Sequence, residues 1–188
     1  MGVDPRGIAR AIYANLRGRT VSEGGSTITQ QLAKNAYLTQ DRTLKRKIQE
    51  VFLALRLEHQ YTKSEILELY LNQIYFGQGA YGVQAAARTY FGKDVEDLTL
   101  NECAMLAGIP KSPNYYSPQN NLQAAQERKA TVLDQMAKYG YITETEAAKT
   151  KKMEPTIVKP KPEDTTKQAA YFVDYVTQLM IDKYGADA

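Results

Sequence analysis

The sequence predicts an all-α fold with at most a few residues of strand. Three observations predict it. Thr27/Gln30, Thr62/Glu65, Thr99/Glu102 and Thr143/Glu146 each pair a threonine with a Glu or Gln three residues on, the signature of a helix start. After each start, apolar residues recur at the three- and four-residue spacing that lines one side of a helix. No stretch alternates polar and apolar residues as a half-buried strand does, and no repeat or heptad is present. With 43% hydrophobic residues in a chain of 188, one packed core forms without disulfides.

The elements follow in order. Asp4-Pro5 reads as an N-cap with proline at the first helical position, and Ile8, Ile12 and Leu16 keep helical spacing until Gly18. After Gly24-Gly25, Thr27 and Gln30 open a helix to about Tyr37. Its spacing puts Thr27, Gln30, Gln31 and Lys34 on one face and Ile28, Leu32 and Ala36 on the other. The next helix runs from about Thr43 to Glu58, with Leu44, Ile48, Val51, Phe52 and Leu55 as its expected buried stripe. Thr62 and Glu65 start a helix to about Tyr75. Asn72 and Gln73 interrupt its apolar run just before a glycine-rich turn at 76–82, which as buried amides they are expected to brace. Residues 84–90 read as helix. Thr99 starts a short helix that stops at Gly108-Ile109-Pro110, and a loop follows. Asn121 begins a long helix to about Tyr139, with Gly140 as its C-cap, and Thr143 begins another. Residues 151–167 form a charged, proline-bearing linker. A last amphipathic segment carries Tyr171, Phe172, Val176 and Met180 on one side.

Composition excludes several classes. Cys103 and His59 each stand alone, so neither a disulfide within the chain nor a His/Cys zinc site can form. The balance of 24 basic against 21 acidic residues is too mild to indicate nucleic acid. No stretch approaches the roughly 20 apolar residues of a membrane span. The basic residues are unevenly spread: Arg42, Lys45, Arg46 and Lys47 crowd together, a pattern that in most chains is a solvated helix face.

Two stretches place polar groups where chemistry could use them. Gly24-Gly25 lets the backbone approach a ligand, and the free amides of the helix start beyond Ser26 suit an anion. The ordinary alternative is a glycine turn, a good cap and a solvated face. In Arg46-Lys47-Ile48-Gln49-Glu50, both cations lie within a helical turn of Glu50. The ordinary alternative there is a surface salt bridge worth under ~1 kcal/mol.

Taken together, these stretches resemble a known family. Gly24-Gly25-Ser26-Thr27-Ile28-Thr29-Gln30-Gln31-Leu32-Ala33-Lys34-Asn35 is similar to the second signature of the peptidoglycan glycosyltransferases, glycosyltransferase family 51. That domain occurs in bifunctional class A penicillin-binding proteins and in monofunctional transglycosylases. Arg46-Lys47-x-x-Glu50 resembles the third signature and residues 68–82 the fourth. Arg128-Lys129-Ala130-Thr131-Val132-Leu133 resembles the fifth, with Thr131 where an aromatic is commoner. The first signature carries the family's catalytic glutamate, and the opening Gly2-Val3-Asp4-Pro5-Arg6-Gly7-Ile8 resembles the sequence just beyond it. The resemblance thus carries the expectation that the chain begins after that base and is inactive alone. Ala170-Tyr171-Phe172-Val173-Asp174-Tyr175-Val176 resembles the connection toward a transpeptidase domain. The expected division is a glycosyltransferase domain over 1–150, and over 151–188 a linker and amphipathic helix.

The resemblance implies a lysozyme-like helical fold and an enzyme that polymerises lipid II with inversion at the anomeric carbon, releasing polyprenyl diphosphate. A diphosphate leaves without being protonated, so the reaction needs cations against developing negative charge and a base for the acceptor hydroxyl. By resemblance, Glu50, Lys34 and Arg42 are catalytic, with both cations on the diphosphate. Ser26, Thr27, Gln30, Gln31, Arg46, Lys47 and Asn72 bind substrate. No protein metal site is implied, although the substrate diphosphate could recruit Mg2+. Implied partners are lipid II, the growing glycan strand, the membrane surface and other cell-wall synthesis proteins, but not nucleic acid. The implied location is the outer, periplasmic face of the bacterial inner membrane. Two other readings remain: a non-catalytic module that binds lipid-linked substrate or a partner, and a lysozyme-like glycoside hydrolase.

Overall fold

The computed structural model describes residue 4, residues 25–37 and residues 44–159. Seven α-helices follow one another among these: α1 (Ile28–Tyr37), α2 (Leu44–Gln60), α3 (Lys63–Gln73), α4 (Val83–Phe91), α5 (Leu100–Gly108), α6 (Leu122–Lys138) and α7 (Glu144–Lys151). Short 3-10 turns lie at Val95–Asp97 and Ile109–Lys111, neither expected from the sequence. The strand character among the described residues is one isolated antiparallel bridge, Tyr75 to Tyr81, so the all-α expectation holds. The chain divides into two compact units after Val158, and all seven helices belong to the first. The helix expected over 5–18 and the amphipathic segment around Tyr171, Phe172, Val176 and Met180 lie outside the described residues. No helix among the described residues is long and apolar enough to cross a membrane.

All four capping boxes form. Thr27 donates its N–H to Gln30 Oε1 at 2.9 Å and accepts from the Gln30 N–H at 3.2 Å. Thr62 with Glu65, Thr99 with Glu102 and Thr143 with Glu146 make the same reciprocal pairs. Each box satisfies N–H groups that the first helical turn leaves without a partner. Asn121 caps α6, accepting from the Ala124 N–H at 3.1 Å.

α1 packs against both α2 and α3, and α6 against both α5 and α7. The main core joins Leu32 and Ala33 of α1, Leu57, Ile66 and Tyr70 with Phe76, Tyr90, Met105 and Ile109. A smaller one gathers Ala104, Leu133 and Ala147 where α5, α6 and α7 meet.

Two expected faces are turned. In α2 the buried residues are Glu50, Ala54 and Leu57, while Ile48, Phe52 and Leu55 of the predicted stripe are exposed. Apolar residues occur on several sides of this helix, and the face that satisfies Glu50 is the one that turns inward. In α1, Gln30 is fully buried beside Leu32 and Ala33, whereas Ile28 and Ala36 of the expected apolar face are exposed. The cap explains this, because Gln30 must fold back onto Thr27.

The turn at 76–82 is braced differently from expectation. Asn72 and Gln73 are exposed. The bracing comes from the Tyr90 hydroxyl, which donates to the Phe76 carbonyl at 2.7 Å, and from the Gly82 N–H on the Ile74 carbonyl at 2.9 Å. Gly82 sits at φ +84°, and a Cβ there would fall 2.7 Å from the Asn72 carbonyl oxygen, so both conformation and space require glycine. α3 ends at Gln73 rather than near Tyr75 because Ile74 is already extended, entering this turn.

Candidate active site

The start of α1 and the middle of α2 meet at Glu50. Its side chain is 2% exposed, a position a carboxylate occupies only with partners. Lys47, one turn earlier on α2, supplies the charge, with Nζ 2.5 Å from Glu50 Oε1. The same ammonium donates to Ser26 Oγ at 2.8 Å, and Ser26 Oγ lies 3.5 Å from Glu50 Oε1. A serine following the glycine pair, a lysine and a buried glutamate thus form a closed triangle across two helices. The surface ion pair considered for this stretch is therefore replaced by a partly buried one, with Lys47 as the partner.

The remaining expected site residues occupy different positions. Gln31 donates from Nε2 to the Ser26 carbonyl at 3.3 Å and accepts from the Tyr70 hydroxyl at 3.4 Å, so α3 helps hold the segment before α1. Thr27 and Gln30 are engaged in the cap, and Gln30 Nε2 is buried without a hydrogen-bond partner. Lys34 is partly buried, and no hydrogen bond or ion pair among the described residues engages its ammonium. Arg46 is partly buried one residue before Lys47. Asn72 is exposed at the end of α3, and none of its side-chain contacts joins it to Ser26, Lys47 or Glu50. Arg42 lies outside the described residues. The structure therefore brings Ser26, Lys47 and Glu50 together directly, with Gln31 attached through the Ser26 backbone.

Two supporting residues were missed by the sequence reading. Tyr70 is one. Glu58 is the other: it accepts from Thr29 Oγ1 at 2.6 Å and pairs with Lys63, which ties α1, α2 and the start of α3. The Lys63 and Thr29 bonds hold its carboxyl below the usual carboxylate range. Local spacing carries no sign of either contact, since both span about 30 or more residues of chain.

The arrangement offers a fixed ammonium, on Lys47, and the Ser26 hydroxyl beside the start of α1. These groups suit an oxygen-rich anion. No group of three or more His, Cys, Asp or Glu that could hold a metal gathers among the described residues.

The chain belongs to the Transglycosylase family, whose pattern it matches over residues 1–137. Penicillin-binding protein 1A of Escherichia coli (strain K12) is 49% identical over 187 residues, covering 100% of this chain and 22% of that protein. Penicillin-binding protein 1A of Aquifex aeolicus is 48% identical, covering 98% of this chain and 25% of that protein. Penicillin-binding protein 1F of Bacillus subtilis is 45% identical, covering 97% and 26%. The chain thus spans about a quarter of the length of these relatives.

Proposed function

We propose that this chain serves as part of a peptidoglycan glycosyltransferase that polymerises lipid II into glycan strands, working at the outer face of the bacterial inner membrane. The observation that carries the reading is the buried Glu50, locked by Lys47 to the serine after the glycine pair. In the reaction, the acceptor hydroxyl loses its proton to a base and its oxygen bonds to the anomeric carbon of the growing strand. The bond from that carbon to the polyprenyl diphosphate breaks with inversion, and the diphosphate leaves with the electron pair. Lys34, Arg42 and Arg46 meet its negative charge, and Glu50 orients Lys47 toward it. Ser26, Thr27, Gln31 and Asn72 bind sugar or phosphate oxygens, and Gln30 uses its unpartnered Nε2 in the same way.

Mg2+ is proposed to arrive with the diphosphate and takes no step of its own here. The exposed Ile48, Phe52 and Leu55 support contact with the membrane surface from which the substrate comes.

The test is polymerisation of lipid II by the complete protein carrying single substitutions. Glu50→Gln is expected to abolish polymer formation. Lys34→Met should lower turnover about 100- to 1000-fold, by analogy with loss of one group that stabilises developing negative charge. Near-normal strand synthesis by Glu50→Gln would remove Glu50 from the active site.

A further inference from the structure

A second recess lies on α6, far along the chain from Glu50 and sharing no residue with that site. It encloses about 290 Å³ and is lined by Arg128, Thr131, Gln135, Met136, Tyr139 and Tyr141 among others. Three observations distinguish it from a surface dimple. No carboxylate pairs with Arg128 among the described residues, and its Nε is buried without a hydrogen-bond partner. Its stem is seated closely on Gly108, where a Cβ would fall 2.8 Å from Arg128 Cγ, so the base of the side chain is packed at this place. Tyr139 and Tyr141 stand at the rim, 68% and 78% exposed, presenting aromatic surface that no core requires.

We propose that this recess is a second holding site for the product strand, taking a stem-peptide carboxylate on Arg128 and the neighbouring sugar against the two tyrosines. A half-buried guanidinium without a counter-charge among the described residues calls for a planar anion that can accept two parallel N–H bonds, and a carboxylate fits. Aromatic rings with a polar edge suit a ligand that is apolar on one face and hydroxylated on the other. The recess is small for a free ligand, near the lower limit of small-molecule sites. A strand held at its growing end has a high effective concentration, so a weak site can still retain it. The identity of the ligand rests on the proposed polymerase reading; the recess and its unpaired cation do not.

The experiment is titration of the full chain with a soluble disaccharide–peptide bearing free stem carboxylates, followed by NMR at Tyr139 and Tyr141. Saturable shifts at both tyrosines are expected. Arg128→Met, which keeps the stem on Gly108, should weaken binding at least about tenfold, the worth of one charged hydrogen bond. Gly108→Ala, which displaces the stem, should do the same. Tyr141→Ala alters no packed core and should give a smaller but measurable loss. The same ligand amidated at its carboxylates should bind wild type as weakly as the acid binds Arg128→Met. Unchanged affinity in Arg128→Met, shifts confined to the region of Ser26 and Lys47, or equal saturation by an acidic peptide without sugar would each overturn the proposal. Because the readout is binding at α6, failure of lipid II polymerisation would count against the proposed function and leave this titration interpretable.

Discussion

Glu50 reaches its place by leaving water, and Lys47 and Ser26 replace what water supplied. That makes Lys47 a structural as well as a chemical residue. Lys47→Met should destabilise the protein by about 2–3 kcal/mol, less than the roughly 3–5 kcal/mol of a fully buried pair because the lysine side chain is itself 40% exposed. Chemical denaturation checks this, and the double variant Lys47→Met/Glu50→Gln should recover much of the loss by removing the stranded charge. At Glu102 burial alone raises the carboxyl, but bonds from Lys93 and from the Thr99 N–H and hydroxyl outweigh it and hold it below its ordinary range. The folded state then holds fewer protons than the unfolded one. Its contribution is whole above the unfolded carboxyl value of about 4.3 and drains away as pH falls toward the folded value. The stability gap between wild type and Lys93→Met, measured by thermal unfolding across that window, should therefore shrink toward low pH.

At the scale of elements, the caps decide where helices begin. Thr62→Ala and Thr143→Ala should each cost about 1 kcal/mol, read as a lower Tm. Gly82→Ala should cost more, since it combines a left-handed backbone with a Cβ against the Asn72 carbonyl. An alanine there as stable as glycine would mean that the turn relaxes. The starts were legible in the sequence because a capping box is complete within four residues. Helix faces were less legible. Ile48, Phe52 and Leu55 look like a core stripe by spacing, yet the helix turns Glu50 inward, where Lys47 and Ser26 of a separate segment await it. Asn72 and Gln73 failed as turn braces for a similar reason: Tyr90, from the following helix, already fills that role. In the site, Ser26, Lys47 and Glu50 were legible through the family resemblance, while Tyr70 and Glu58 depend on contacts between distant parts of the chain.

At the scale of the whole first unit, α5, α6, α7 and the segment after α7 are joined through Lys129. Its fully buried ammonium donates to Asn101 Oδ1 at 2.8 Å, to the Met153 carbonyl at 2.5 Å and to the Thr150 carbonyl at 3.5 Å. Burial pulls this lysine below its usual range, with Glu154 opposing. Lys129→Met takes the donor from Asn101 Oδ1 and the Met153 carbonyl, while the Thr150 carbonyl keeps the Met153 N–H at 3.1 Å, and should cost on the order of 2–3 kcal/mol in urea unfolding. Beyond Met153 the chain returns to the core. The Val158 N–H donates to the Tyr90 carbonyl at 2.9 Å, and Gln119 Nε2 donates to the Val158 carbonyl at 2.9 Å. Tyr90 is the same residue whose hydroxyl holds the Phe76 carbonyl. A mechanical pull on the chain past residue 158 would thus load Gln119 and the Tyr90 backbone together. Through Tyr90, whose hydroxyl holds the Phe76 carbonyl, part of that tension would reach the glycine turn.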